Sequence, residues 1–144
     1  MKYFTIDELS YSAKAEEKGI KNIPNEMEVW HLQNLVEKVL DPVRERFGKP
    51  IYVNSGYRCK ELNRVVKGSI TSQHLTGQAV DITASQKEDN KKIFDIIVEL
   101  GLYDQLIWER GDVNFPQWIH VSYREPMRKE KLRTKDGVHY TKMK

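Results

Sequence analysis

Hydrophobic residues recur at helical spacing in the N-terminal third of the chain, and most of the rest alternates between short apolar runs and turns. The longest helical pattern is formed by Met27, Trp30, Leu35, Val36, Val39, Leu40 and Val43. A capping box at Asn25-x-x-Glu28 predicts where this helix begins, and Gly48 predicts where it ends. Pro42 lies inside the pattern and predicts a kink or a restart.

Three shorter helices are predicted by similar signals. The spacing Thr5-x-x-Glu8 is a second capping box, and residues 60–66 form a short helical segment that ends near Gly68. A third capping box, Ser85-x-x-Glu88, predicts a helix through Leu100 that Gly101 terminates.

The β-rich segments are short and lie mostly between these helices. We predict strands over residues 51–53, 79–83, 106–108 and 118–123, and a terminal hairpin of residues 132–135 and 138–141 around Asp136-Gly137. Few of the strands are separated by a full helical crossover. The pattern therefore predicts one α+β domain over residues 1–144, with a small, mainly antiparallel sheet and flanking helices.

Composition excludes several classes of protein. Hydrophobic residues make up 39% of the chain and charged residues 31%, and no apolar run reaches the length of a membrane span. The N-terminus has no features of a signal peptide, so we expect the protein to stay in the cytoplasm until it is released to the cell wall. We also expect a monomer. Cys59 is the only cysteine, which excludes an intrachain disulfide and favours a neutral thiol over a nucleophile.

The last segment, residues 124–144, is basic. It contains eight Lys or Arg against three Asp or Glu, a surplus of five, whereas the whole chain carries +3. Such a hairpin or tail favours anionic polymers, either an acidic cell wall or nucleic acid. A solvated terminal hairpin explains the charge equally well, and nucleic-acid binding, which rests on charge alone, is the least favoured reading.

Three residues form a candidate metal site. His74 lies in a polar turn, Asp81 follows seven residues later on an apolar strand, and His120 lies on a distant strand. A carboxylate among apolar residues is costly to bury unless it is paired or binds a metal. Two imidazoles and a carboxylate are a common ligand set for catalytic zinc, because they leave a fourth position for water.

The residues around this trio resemble a known family. Ser72-x-His74-x-x-Gly-x-Ala-x-Asp81, followed by Trp118-x-His120, is similar to the zinc D-Ala-D-Ala carboxypeptidases and their phage L-alanyl-D-glutamate endopeptidase relatives. The resemblance covers roughly residues 3–124 and extends to the blocks 55–58, 61–63 and 104–109. It implies the hedgehog/DD-peptidase type of fold, a Zn²⁺ cofactor and peptidoglycan peptides as substrate.

The resemblance also implies roles for single residues. His74, Asp81 and His120 match the zinc ligands, and Arg58 matches an arginine that stabilises the developing oxyanion. Ser72 matches the motif serine, which tunes the site from behind the ligands or simply caps a turn. Trp108 and Trp118 are expected to wall the cleft and pack against substrate, although tryptophans beside a strand are more often core residues.

One position departs from the family pattern. The acidic general base normally precedes the last histidine ligand by three residues, and this chain has Gln117 there. An amide orients a water molecule but cannot accept its proton. Glu109 is the best substitute, because its strand is expected to run beside His120, and Asp112 is a weaker one. The sequence therefore predicts a zinc peptidase of phage or prophage origin, with a non-catalytic wall-binding or metal-binding module as the alternative.

Overall fold

The chain forms six α-helices and six β-strands, and the computed structural model describes all 144 residues. None of the helices has both the length and the apolar composition that crossing a bilayer demands. The helices are α1 (Ile6–Ser10), α2 (Ala13–Lys18), α3 (Glu26–Leu35), α4 (Asp41–Phe47), α5 (Lys60–Val65) and α6 (Asn90–Leu100). Two short 3₁₀ turns, Gln73–Thr76 and Lys87–Asp89, precede β2 and α6.

The helix ends follow the capping signals of the sequence. Thr5 caps α1, and Asn25 forms the complete capping box of α3 with Glu28. Gly48 and Gly101 terminate α4 and α6 in the left-handed conformation. The restart predicted near Pro42 is also present: a π-helical turn over Val36–Leu40 joins α3 to α4, and Pro42 lies in the first turn of α4, where its missing N–H is not needed.

Two helical predictions are corrected. Met27 and Trp30 were assigned to the apolar face of α3, but they are 61% and 56% exposed, because the buried stripe begins only at Leu32. The helix predicted from Ser85 begins later, at Asn90. The fully buried Asn90 side chain accepts a hydrogen bond from Ala84 N and donates one to Pro116 O, which fixes the start of α6 against the sheet.

The strands form one sheet in the order β1-β2-β4-β3-β5-β6. Their bounds are β1 (Ile51–Ser55), β2 (Ala79–Ala84), β3 (Gln105–Glu109), β4 (Trp118–Ser122), β5 (Glu130–Thr134) and β6 (Tyr140–Lys142). Every neighbouring pair is antiparallel except β3 and β5, which are parallel. The predicted α+β domain with a mainly antiparallel sheet is therefore confirmed.

The two faces of the sheet have different roles. Because side chains alternate along a strand, one face carries the core residues and packs on the helices. The sheet contributes Val80, Ile82, Leu106, Trp108, Ile119 and Val121 to this core. The opposite face carries a row of residues in direct register across four strands, Asp81, His120, Ile107 and Leu132. Both predicted metal ligands of the sheet thus project from the face that does not pack on the helices.

The basic C-terminal segment belongs to the sheet. Its two strands pair antiparallel across residues 135–139, but they begin and end at other positions than 132–135 and 138–141. β5 pairs in parallel with β3, from Gln105↔Glu130 to Glu109↔Thr134. This segment therefore extends the sheet beside the row that contains His120.

Candidate metal centre and cleft

The first candidate ligand, His74, is held in the 3₁₀ turn Gln73–Thr76. The hydroxyl of Ser72 accepts a hydrogen bond from His74 N at 3.2 Å and so caps this turn. The turn ends at Gly77, whose φ is +75°. A Cβ at Gly77 would lie 2.6 Å from the carbonyl oxygen of Glu28 in α3, so only glycine fits both the conformation and the contact.

A second glycine orients the ring of His74. Gly56 directly follows β1 in the chain and packs against Leu9 of α1, where an added Cβ would lie 2.0 Å from Leu9 O. The carbonyl of Gly56 accepts a hydrogen bond from His74 Nδ1 at 2.7 Å. A carbonyl can only accept, so Nδ1 carries the proton and Nε2 is left with a free lone pair in the neutral ring.

The three candidate ligands converge. Asp81 and His120 are paired residues of β2 and β4, and their ligand atoms and that of His74 all lie within 4.8 Å of one another. His74 Nε2 is 3.4 Å from Asp81 Oδ2, and His120 Nδ1 is 3.0 Å from Asp81 Oδ1. Burial alone would raise the pKa of Asp81, but the two imidazoles outweigh it and lower that pKa well below its ordinary value.

This donor set fits a zinc ion. Two imidazole nitrogens and one carboxylate oxygen lie close enough together to share one ion, and three protein ligands are the number found in catalytic zinc sites. The hydrogen bond from His74 to Gly56 is the kind of outer contact that fixes a metal-binding ring. The residues that would hold the ion are therefore His74, Asp81 and His120.

The cluster lies in a cleft of about 510 Å³. The cleft is lined by the three candidate ligands together with Arg58, Ser72, Glu109 and Trp118, and also by Lys67, Gln105, Arg128, Leu132 and Tyr140. The last three of these come from the C-terminal segment, and sequence reasoning missed them. No local pattern marks them, because the parallel pairing of β5 with β3 is what brings them to the site.

Arg58 lies next to His74 and is hydrogen-bonded to the same turn. Its backbone N–H donates to His74 O at 3.0 Å, and its guanidinium Nη2 donates to Ser72 Oγ at 3.3 Å. Its Nε is buried and has no partner within the protein. Burial lowers the pKa of Arg58, and the nearby carboxylate of Asp81 acts in the opposite direction. A buried donor without a partner, on the wall of a cleft, is suited to an oxygen atom of a ligand.

Glu109 supplies a carboxylate to this cleft. It is only 8% exposed, and its side chain makes no hydrogen bond or ion pair within the protein. Burial and, to a lesser extent, the charge of Asp81 raise the pKa of Glu109 to about 7. Glu109 is not one of the three candidate metal ligands. A carboxyl group whose pKa is near neutral therefore lines the same cleft without belonging to the ligand set.

Comparison with protein families identifies the family to which this chain belongs. The family model described as Peptidase M15 matches residues 2–122. The chain belongs to the peptidase M15 family. This confirms the resemblance inferred from the motifs, and it makes the chain a member of a peptidase family.

Two other comparisons were made for this M15 family member. No curated protein matches it. Among solved structures, it is similar to the L-Ala D-Glu endopeptidase ChiX of Serratia marcescens, with 18% sequence identity and a TM-score of 0.45. The similarity covers 83% of this chain and 92% of that one.

The structure separates the two tryptophans that were expected in the cleft of this M15 family member. Trp118 lines the cleft, with the guanidinium of Arg110 5.3 Å from its ring centre. Trp108 lies on the other face of β3, where it is 3% exposed and packs edge-on against Phe94. The expectation that Trp108 walls the cleft is therefore wrong, because Trp108 and Glu109 are consecutive strand residues and face opposite sides of the sheet.

Gln117, which occupies the position where the family usually has an acidic base, also lies outside the cleft. The amide of Gln117 accepts a hydrogen bond from Lys87 Nζ at 2.8 Å, and Gln117 is not among the lining residues. Its backbone N–H donates to Glu109 O at 2.9 Å, which helps to hold the end of β3. The carboxylate of Asp112 accepts hydrogen bonds from the backbone of its own loop, at Asn114 and Phe115. Of the residues considered for the base, only Glu109 faces the cleft.

Proposed function

We propose that this chain is a zinc-dependent peptidase that hydrolyses the stem peptides of peptidoglycan, as a D-Ala-D-Ala carboxypeptidase or an L-Ala-D-Glu endopeptidase. The observation that carries the proposal is the convergence of His74, Asp81 and His120 in a cleft that also contains Glu109 and Arg58. Membership of a peptidase family supports the reaction class. The motif around the three ligands, which resembles the stem-peptide enzymes, supports the substrate class.

The side chains of the cleft divide the chemistry among them. When bound, Zn²⁺ would polarise the scissile carbonyl and lower the pKa of a water molecule held there. Glu109 accepts the proton of the attacking water on its carboxylate and then delivers it to the leaving amine. Arg58 donates hydrogen bonds to the substrate carbonyl oxygen as negative charge develops on it. Trp118 presents an apolar surface against which the peptide packs.

Zinc binding and cleavage test the proposal together. The variants His74→Ala and His120→Ala should lose zinc on dialysis and should leave purified peptidoglycan uncut. His139→Ala is the matched control, because the side chain of His139 is 86% exposed and its ring contacts only Asp136. Elemental analysis measures the zinc, and mass spectrometry of the digest identifies the bond that is cut. Unchanged zinc content in either ligand variant would refute the ligand assignment.

A second outcome decides between catalysis and binding. If the zinc-loaded wild-type protein binds peptidoglycan and short D-amino-acid peptides but leaves them intact, the chain is a wall-binding module on a peptidase fold. The position of Glu109 argues against this alternative, which arose because Gln117 cannot act as a base. Glu109→Gln should therefore keep its zinc and lose cleavage, and near-normal turnover of this variant would mean that the base is another residue.

A further inference from the structure

The C-terminal segment brings a second arginine to the cleft. Arg128 lies just before β5, outside the residues 2–122 that the family model matches, and it lines the same cleft as Arg58. Neither the metal centre nor the proton transfer uses it. Hydrogen bonds to the carboxylate of Asp104 nevertheless fix the position of its side chain.

A buried carboxylate fixes one edge of the Arg128 guanidinium. The side chain of Asp104 is fully buried, and its Oδ1 accepts hydrogen bonds from Arg128 N at 2.7 Å and from Arg128 Nε at 3.1 Å. Its Oδ2 accepts from Arg128 Nη2 at 2.8 Å. Burial alone would raise the pKa of Asp104, but these hydrogen bonds lower it to about 2, so the carboxylate is charged and holds the arginine firmly.

The Nη1 nitrogen of the guanidinium is free of hydrogen bonds. Nη1 of Arg128 donates no hydrogen bond within the protein, and its nearest acidic atom is Glu130 Oε1 at 3.9 Å. That oxygen already accepts a hydrogen bond from Gln105 Nε2 at 2.7 Å. The Arg128 side chain remains 43% exposed at the cleft wall. Because the guanidinium is anchored through Nε and Nη2, its Nη1 N–H groups are held in a fixed direction, where they can donate to a carboxylate oxygen of a ligand.

Arg58 and Arg128 contact consecutive residues of the segment that leads into the first candidate metal ligand. Gln73 donates from Nε2 to Asp104 Oδ2 at 3.0 Å, and its Oε1 accepts from Arg128 Nη2 at 3.4 Å. The preceding residue, Ser72, accepts from Arg58 at 3.3 Å. A peptide bound in this cleft can therefore contact both guanidinium groups near His74. Lys67, which lines the same cleft without forming an ion pair, adds a further positive charge to it.

We propose that Arg128 binds a carboxylate of the substrate peptide and so determines which stem peptides the cleft accepts. This inference rests on the proposed function. The carboxylate belongs either to the C-terminus of the peptide or to the free carboxyl group of its D-Glu residue. Arg58 acts on the scissile carbonyl, whereas Arg128 acts on a charged group next to it and positions the peptide.

The test uses a stem peptide that contains L-Ala-D-Glu, together with two analogues. One analogue has the C-terminal carboxylate converted to a carboxamide, and the other has the D-Glu carboxyl group converted. Zinc-loaded wild-type protein should discriminate against one analogue by at least about tenfold in KM, the effect of losing one charge-assisted hydrogen bond. Arg128→Gln should raise KM for the unmodified peptide to that of the analogue, with little change in kcat.

Arg124→Gln is the matched control. Arg124 Nε also contacts Asp104 Oδ2, at 3.3 Å, but Arg124 does not line the cleft. A loss of structure around Asp104 would weaken all three peptides equally in either variant, whereas carboxylate recognition predicts a selective loss in Arg128→Gln alone. Equal weakening of all three peptides by Arg128→Gln, or no discrimination by the wild-type protein, would overturn the inference.

Direct binding keeps this result separate from the peptidase proposal. Calorimetry with the same three peptides measures affinity whether or not the bond is cut. If the wild-type protein cleaves none of them but still prefers the carboxylate form, and Arg128→Gln loses this preference, then the peptidase proposal fails and carboxylate recognition stands. If cleavage occurs with no dependence on the carboxylate, the reverse holds.

Discussion

Replacing Glu109 by glutamine should stabilise the zinc-free protein at high pH, although it removes the proposed base. Glu109 is a buried carboxyl without a hydrogen-bond partner, and its pKa is about 7 instead of the ordinary 4.5. The folded state therefore holds a proton on Glu109 more tightly than the unfolded state does. As the pH rises from about 4.5 to about 7, the free energy of unfolding falls, because Glu109 ionises more readily in the unfolded chain.

The size of the effect follows from the difference between the two pKa values. A difference of about 2.5 corresponds to roughly 3 kcal/mol of unfolding free energy at 1.36 kcal/mol per pKa unit. The penalty is nearly complete at pH 8 and falls below about 1 kcal/mol at pH 5. Glutamine has the shape of the protonated acid and carries no charge at either pH. The variant should therefore exceed wild type by roughly 3 kcal/mol at pH 8 and by less than about 1 kcal/mol at pH 5.

Urea denaturation of EDTA-treated protein at the two pH values measures this difference. Zinc is removed because its charge would favour the ionised carboxylate. Glu37→Gln is the control, since Glu37 is exposed and makes no ion pair, and it should change little at either pH. If Glu109→Gln is as stable as wild type at pH 8, or less stable, then Glu109 is not held in an unfavourable charged state and the argument for it as the base loses its physical foundation.

Three further substitutions test the framework of the site. Gly77→Ala would place a Cβ 2.6 Å from Glu28 O at a φ of +75°. It should lower the free energy of unfolding by at least about 1–2 kcal/mol and weaken zinc binding. Thermal denaturation measures this loss, and an unchanged melting temperature would contradict the contact. Trp108→Ala empties a core position and should cost about 3–5 kcal/mol. Trp118→Ala should instead leave most of the stability and raise KM for the peptide, and equal losses of stability in the two tryptophan variants would argue against their assignment to opposite faces of the sheet.

Two of the three candidate metal ligands, His74 and Asp81, could be placed together from sequence because their spacing is local. Ser72 to Asp81 form one continuous stretch of turn and strand, and the apolar neighbours of Asp81 and His120 placed both on a sheet. Period-2 alternation then gave His120 and Trp118 a common face, as the structure has them. The same rule excludes Trp108 from the face that carries Glu109, and applying it to both residues together would have corrected that prediction.

What escaped prediction depends on contacts between distant parts of the chain. Asp104 lies in the block 104–109 that resembles the family. Its partner Arg128 is 24 residues away and becomes its neighbour only because β5 pairs with β3. The exposure of Trp30 has a similar origin. Helical spacing includes it in an apolar face, yet the elements that pack on α3 cover the helix only from Leu32 onwards.

The parallel pairing of β5 with β3 affects how the protein can be shortened. A chain that ended at residue 122, where the family match ends, would leave β3 as an edge strand. The N–H and C=O groups that β3 now shares with β5 would be unpaired and free to pair with the same edge of another molecule. Such a fragment would keep all three candidate metal ligands and Glu109, but we expect it to aggregate through its exposed edge.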